Sequence, residues 1–356
     1  MLKYINVHEN DELVTFEEEG HVYTYTPTGK PVRKSVTGVV GPHFDTFDAP
    51  AIVERYFDSW LGNSRHKNHE LAKFLVATSA TRAEAHQKVL DYWSTIGADA
   101  ATAGTKMHLT LELYIQNMPL VLPPGESLPH CVGLYDQFVK DFKPELELMP
   151  WRCEFPVVLV VDGVVVVAGM IDYIAVDNTG MFHVFDWKRV DPHKKGRLGE
   201  SGKNAYHEKK AAGPFSAFEA NDYNKYSAQL LAYKWILEKQ YGLRVAGCYM
   251  VQMHPDMEKA HVCPVNVQLE HAVNDAMMAE ILEAAIETAN GSVSATLDAA
   301  VECAGELVAT PPDPTMEFMV NSGSTFGDED VPVAKAPLVQ RTISRPTDAS
   351  TPEMVD

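Results

Sequence analysis

Apolar and polar positions change rhythm several times along the chain. Residues 12–41 alternate in short runs around a TPTGK turn, which predicts short strands ending at Ser35-Val36-Thr37. At Asp48-Ala49-Pro50 a capping acid and a first-turn proline predict the start of a helix. Helical spacing runs to about Tyr114, with capping-box spacing from Thr81 to Glu84. Gly97 and Gly104 predict a break, with a new helix near Thr105. A further helix is predicted over 127–142. Strand patterns follow at about 151–161, 164–176 and 181–189, then a Lys- and Gly-rich loop over 190–213. An amphipathic helix over 222–241, strands at 244–253 and 260–267, and a helix near 269–290 come next. After about 293 periodicity fades and Pro, Ser, Thr and Asp rise, so 305–356 reads as a disordered acidic tail.

This order predicts an α/β (α+β) fold. It has a central mixed sheet flanked by helices, a strand-rich segment over 1–47, a main domain over 48–293, and the tail. Helices fill the main domain before the strands begin.

The strand pattern is interrupted by charge. Residues 168–190 read AGMIDYIAVDNTGMFHVFDWKRV, mostly apolar, yet they carry Asp172, Asp186 and Lys188. Asp177-Asn178-Thr179-Gly180 suits a type I turn with glycine in the left-handed position after it. That loop pairs 177 with 181, so the numbers of each facing pair sum to 358 and Asp172 faces Asp186. Facing carboxylates about 5 Å apart repel by about 3 kcal/mol at an effective dielectric of about 20. A sheet gains nothing from this, whereas a divalent cation between them removes it; hard oxygen ligands select magnesium, with manganese able to substitute. Lys188 projects from the same strand face as Asp186 and could orient an attacking water, help deprotonate it, or offset charge at a phosphoryl transition state. The plainer alternative is two acids at solvated strand ends, one neutralised by the lysine.

Composition narrows the choice. The chain has 356 residues and is 46% hydrophobic, which suits one large domain with appendages. No apolar run reaches the roughly 20 residues a membrane helix needs, and the N-terminus carries no signal or transit pattern. A soluble, cytoplasmic protein without a membrane partner is expected. The five cysteines are scattered with no CxxC pair, so no disulfide framework, zinc site or iron–sulfur cluster is expected. Net charge is −19, but its distribution is uneven: residues 188–210 carry +5 and residues 298–356 carry −8.

Other residues suit the same chemistry. His108 and Glu112 lie four apart, on one helix face, and are metal-compatible, though such pairs also occur as surface contacts. Glu154, in a β-rich run, faces either this site or solvent. Tyr226, Gln229 and Tyr233 form a helical stripe able to bond phosphate or stack on a base, or one that merely borders the core.

Together, Gly104-Thr105…His108…Glu112, Glu154, Gly169-Met-Ile-Asp172, Asp186-Trp-Lys188 and Gln229…Tyr233 resemble the PD-(D/E)XK nuclease superfamily, in its RecB-like exonuclease branch. Ser35-Val-Thr37 and Phe44-Asp-Thr-Phe47-Asp48 are similar to phage and large-virus members akin to mitochondrial genome maintenance exonucleases. The resemblance covers roughly residues 20–270 and implies a restriction-endonuclease-like core over about 97–270. It implies magnesium held by Asp172, Asp186, the Trp187 carbonyl and His108, with Glu112 and Glu154 assisting and Lys188 positioning or activating water. Gln229, Tyr233 and Tyr226 would shape the substrate end. Arg189, Lys194, Lys195 and Arg197 of the basic segment would track a DNA backbone. Ile171 stands where the superfamily motif has proline.

The expected activity is metal-dependent exonucleolysis of DNA, single-stranded or with free ends, in replication, recombination or repair. Without a GxxxxGK[ST] motif, unwinding needs a helicase; a recombinase or single-strand-binding protein is a further expected partner. Competing readings are a structure-specific endonuclease of the same fold, an RNA-directed enzyme, and a catalytically silent nucleic-acid-binding module.

Overall fold

The computed structural model describes residues 1–44, 48–120, 127–199 and 209–307, with side chains through 290 except those of Lys194 and Lys195. Met1–Ala299 make one compact unit and Ala300–Asp356 a second, of which only the end of the last helix is described. The elements are α1 (Leu2–Ile5), β1 (Val14–Glu17), β2 (Val22–Tyr25), β3 (Lys30–Pro31), α2 (Val36–Val40), α3 (Ala49–Gly62), α4 (His69–Thr78), α5 (Arg82–Ile115) and α6 (His130–Asp141). Then come β4 (Met149–Val161), β5 (Val164–Val176), β6 (Phe182–Arg189), α7 (Pro192–Lys195), α8 (Asp222–Gln240), β7 (Val245–Met253), β8 (His261–Pro264) and α9 (Glu270–Leu307).

The main sheet runs β4-β5-β6-β7-β8. Only β6 and β7 are parallel neighbours, joined by a crossover containing α8. The mixed sheet expected from the sequence is present, and β6 is its central strand. Both faces of that strand are buried, which is why its sequence is nearly continuously apolar. On one face, Tyr173, Phe185, Trp187 and Val251 pack against Met107, Leu111 and Phe138 of α5 and α6. On the other, Ile174, Val184 and Met250 pack against Leu230, Ile236 and Leu237 of α8. Helices α3, α4 and the first half of α5 form their own apolar cluster around Val53, Phe57 and Val89.

Two predicted boundaries are corrected. Helix α5 runs unbroken through Gly97 and Gly104. Each glycine costs about 1 kcal/mol relative to alanine. The intervening Ala-Asp-Ala-Ala-Thr-Ala is rich in the strongest helix former, so the helix persists. Helix α9 likewise continues to Leu307 rather than ending near 290, so the tail expected from 305 begins no earlier than 308. Residues 308–356 lie outside the described residues. Within the predicted 190–213 loop, α7 is a short helical turn. Among the described residues no helix is long and apolar enough to cross a membrane.

Short strands are present as predicted at the start of the 12–41 segment, where β1–β3 form a meander and Val14 and Tyr23 pack onto Val158 and Ala168 of the main sheet. The predicted end of that segment is corrected: Ser35 caps a helix, α2, over Val36–Val40. The chain before the meander is tied down by polar side chains. Asn6 donates to the Trp151 carbonyl at 2.9 Å, Asn10 donates to that of Gln240 at 2.8 Å, and His8 bonds that of Tyr241 at 2.9 Å. Arg152 on β4 and Asp11 form a buried ion pair at 2.7 Å.

Removing one member of such a pair strands the other charge. Arg152→Met is therefore expected to cost about 3–5 kcal/mol in urea denaturation, whereas Arg152→Met with Asp11→Leu recovers most of the loss. A double variant as unstable as the single one would show that the ion pair itself supplies the stability.

Candidate active site

The β5–β6 turn sets the geometry. Asp177 Oδ1 accepts from the Thr179 amide at 2.8 Å, the Thr179 hydroxyl at 2.6 Å and the Met181 amide at 3.0 Å, while Oδ2 meets His183 Nε2 at 2.9 Å. Burial opposes ionisation of Asp177, but these bonds hold its pKa well below the usual carboxylate range. Gly180 takes a φ of 78°, which a side chain would resist. The resulting pairs, Val176 with Phe182 through Tyr173 with Phe185, have the predicted register, each summing to 358.

One residue beyond the last ladder pair, the same register carries Asp172 toward Asp186, whose charge acts on it. Across β4, Cys153 pairs with Tyr173 and Phe155 with Ile171, which puts Glu154 opposite Asp172. Three neighbouring strands thus bring Glu154, Asp172 and Asp186 to one row. Glu154 has a φ of 43° within a strand, a conformation costing about 1–3 kcal/mol for a residue with a side chain. The antiparallel ladder stops at this row: the Trp187 amide donates to Asp172 Oδ2 at 2.8 Å instead of continuing across the strands.

Helix α5 delivers His108 into the opening. Its Nε2 lies 2.9 Å from the Trp187 carbonyl, which can only accept, so Nε2 carries a proton. Its Nδ1 is directed at Asp172, 3.5 Å away, and Glu154, 3.8 Å away. Burial pulls the imidazole pKa down, but Asp172, Glu154 and Asp186 outweigh it and push it up to about 9. Asp172 is pushed above the ordinary carboxylate range by burial and by Asp186 and Glu154, against the pull of His108. The ligand atoms of His108, Glu154 and Asp172 all lie within 4.8 Å of one another and could hold a cation. A ring nitrogen tied to a backbone carbonyl, with the other turned to carboxylates, is the usual bearing of a metal-ligating histidine.

Asp186 is held differently. It is buried, and the Lys188 ammonium lies 2.6 Å from its Oδ2. At that distance the ammonium donates a charge-assisted hydrogen bond to the carboxylate. Lys188 also lies 4.4 Å from the centroid of the Tyr226 ring. Burial lowers its pKa, but Asp186 and Asp172 more than offset this, so the ammonium stays protonated. Between the two charges, Trp187 turns to the opposite face, where it stacks on Tyr173 at 5.4 Å and meets Tyr135 and Phe138 edge-on. The alternation Asp-Trp-Lys gives one anchor and two functional groups.

The Gln229 amide lies near the Tyr233 hydroxyl, at 3.4 Å, on α8. The Tyr233 ring lies over Gly169, where a Cβ would come within 2.6 Å of a ring carbon and 3.1 Å of the hydroxyl. The half-buried Glu112 accepts from Gln116 at 3.0 Å; burial and then Glu154 raise its pKa. Arg189 points away from the acid row into a separate cleft, and Arg197 is exposed. The side chains of Lys194 and Lys195, residues 200–208, and Asp45–Phe47 lie outside the described residues. Ser35 caps α2 and Asp48 caps α3.

Two residues of this region escaped the sequence reading. Tyr23 of β2 is buried, and its pKa is raised by burial, Glu154 and Asp172, which places its phenol beside the acids. Nothing in its local pattern points there. Gln252, opposite Lys188 in the parallel register, is buried; it accepts from the Leu198 amide and donates to the Val190 and Gly196 carbonyls. A glutamine in the apolar run GCYMVQM is a readable sign of such a clamp.

No family model matches the chain, and no curated protein matches it. Among solved structures 21 chains match. One is the crystal structure of SSO0001, which shares 16% identity at a TM-score of 0.25 and covers 64% of this chain and 84% of its own. A likeness that loose carries neither fold nor chemistry.

Two outcomes follow from this geometry. Gly169→Ala is expected to displace Tyr233 and cost about 1–3 kcal/mol, read as a lowered urea midpoint with perturbed Tyr233 ring resonances. The second concerns protons. Raised above its unfolded value of about 6.5, the His108 pKa contributes stability that is full below that value and lost as pH rises through about 9. A cation binding Nδ1 must displace that proton, so manganese added at pH 8 is expected to release about one proton per ion. Release should vanish well above pH 9 and in His108→Gln; unchanged release in the variant would remove His108 from the ligand set.

Proposed function

We propose that the protein is a metal-dependent nuclease of the PD-(D/E)XK superfamily, RecB-like branch, with a restriction-endonuclease-like core, hydrolysing phosphodiester bonds of DNA that carries ends. The observation that carries this reading is the row Glu154–Asp172–Asp186 across three strands, with Lys188 and His108 at either side. Repelling acids have no structural use there, and carboxylates with an imidazole fit magnesium or manganese.

Asp172, Asp186 and Glu154, with His108 and the Trp187 carbonyl, are the groups that would hold the ion, and the ligand atoms of His108, Glu154 and Asp172 already lie within 4.8 Å of one another. Bound there, the ion would supply Lewis-acid polarisation of a phosphoryl oxygen. Lys188, kept protonated, is suited to hold an attacking water by hydrogen bonding and to offset charge on the phosphoryl group, not to take a proton as base. Tyr226 restricts where its ammonium can go. Gln229 and Tyr233 border the site on the α8 side and are assigned to the substrate end, while Glu112 adds negative potential behind Glu154. Unwinding is assigned to a helicase partner, with a recombinase or single-strand-binding protein supplying substrate in replication, recombination or repair.

End-labelled linear and closed circular DNA, single- and double-stranded, test this directly. Linear DNA should be degraded with magnesium, spared with EDTA, and spared again in Asp186→Asn and Lys188→Ala, each with at least about 100-fold lower turnover. Degradation that persists in both variants would overturn the reading. Cleavage of a closed circle would keep the chemistry but make the enzyme an endonuclease.

A further inference from the structure

On the face of β6 opposite the acid row, the end of the sheet opens into a cleft of about 160 Å3. It lies beyond the carboxyl ends of the parallel neighbours β6 and β7, a place where α/β sheets commonly admit ligands. Arg189 lines it because strand alternation turns its side chain away from the Lys188 face. Lys106 of α5 lines it too, two residues before His108. The floor is apolar and buried: Met107, Leu134 and Met253.

The charge here is divided: His254 at the rim lies 3.4 Å from Asp256 with Asp191 close by, while Lys106 and Arg189 line the other part of the cleft. Net charge is −19, yet neither Lys106 nor Arg189 has an ion-pair partner among the described residues. Lys188, next to Arg189, is by contrast paired at 2.6 Å. Two cations without carboxylate partners at the border of an apolar floor suit an anion with a flat apolar body. The volume limits that body: a cavity of roughly 150 Å3 accommodates a benzene-sized ring, so one nucleobase fits and a base pair does not. Thioethers such as those of Met107 and Met253 make favourable contacts with aromatic rings.

We infer that this cleft binds one unpaired nucleoside monophosphate unit, its base on the methionine-lined floor and its phosphate at Lys106 and Arg189. The assignment of that unit as the end of a DNA strand rests on the nuclease reading; binding of the unit does not. With the terminal nucleotide held here, the strand crosses the end of β6 toward the acids. The cleft then acts as a specificity site that favours frayed or single-stranded ends over closed duplex.

The test uses the full chain in EDTA, so that hydrolysis does not enter. Deoxyadenosine monophosphate, inorganic phosphate and deoxyadenosine are titrated separately by calorimetry. The nucleotide is expected to saturate one site and to bind at least about tenfold more tightly than either fragment. Lys106→Gln, on an exposed helix position, should weaken it about tenfold. Ala103→Trp, at the cleft wall, should abolish it. Phosphate binding as tightly as the nucleotide, or nucleotide binding unchanged in both variants, overturns the inference. Hydrolysis of linear DNA is scored beside it. Hydrolysis without nucleotide binding overturns the cleft and leaves the nuclease reading intact; nucleotide binding without hydrolysis supports the cleft and removes the nuclease reading.

Discussion

Trp187 gives both of its backbone polar groups to side chains. In a regular ladder of this register its amide would bond the strand opposite, at Ile171. It donates instead to the Asp172 carboxylate, and its carbonyl meets His108. The exchange gives both Trp187 backbone groups a partner at the point where the β5–β6 ladder ends. The strands part, and α5 enters where a further rung would have been. The indole remains stacked among Tyr173, Tyr135 and Phe138, so the opening is held rigid.

Charge of one sign is concentrated at this opening, and the rest of the domain holds it in place. The row of acids lies between two apolar layers, one under α5 and α6 and one under α8. The row has counter-charges of its own, the Lys188 ammonium and the His108 imidazolium. Both are placed by packing: Lys188 beneath Tyr226, His108 on a helix whose neighbours Met107 and Leu111 are in the core. The repulsion is thus carried by hydrophobic burial elsewhere, the arrangement expected where function rather than stability has chosen the residues.

Much of this centre was legible because it is local. The Asp-Asn-Thr-Gly turn fixes a register, and a register fixes which side chains face one another; that took Asp172 to Asp186 without any tertiary information. Glu154 was open between site and solvent, since its orientation depends on pairing with a strand and on a left-handed φ that no neighbouring residue announces. The predicted break at Gly97 and Gly104 failed because glycine is a weak prior in an alanine-rich helix. Tyr23 and the Arg152–Asp11 pair were not legible at all. Their partners lie more than a hundred residues away, and single-residue patterns carry no record of such distances. The resemblance to a nuclease family rests on those local motifs alone.

The left-handed backbone of Glu154 has a consequence for anyone engineering this protein. Glycine at that position would relieve the strain and remove one of three repelling charges at once. A library ranked by melting temperature would therefore enrich chains in which the row of acids has been broken. Selection on this scaffold has to read chemistry from the first round, with stability sought in the layers away from the row.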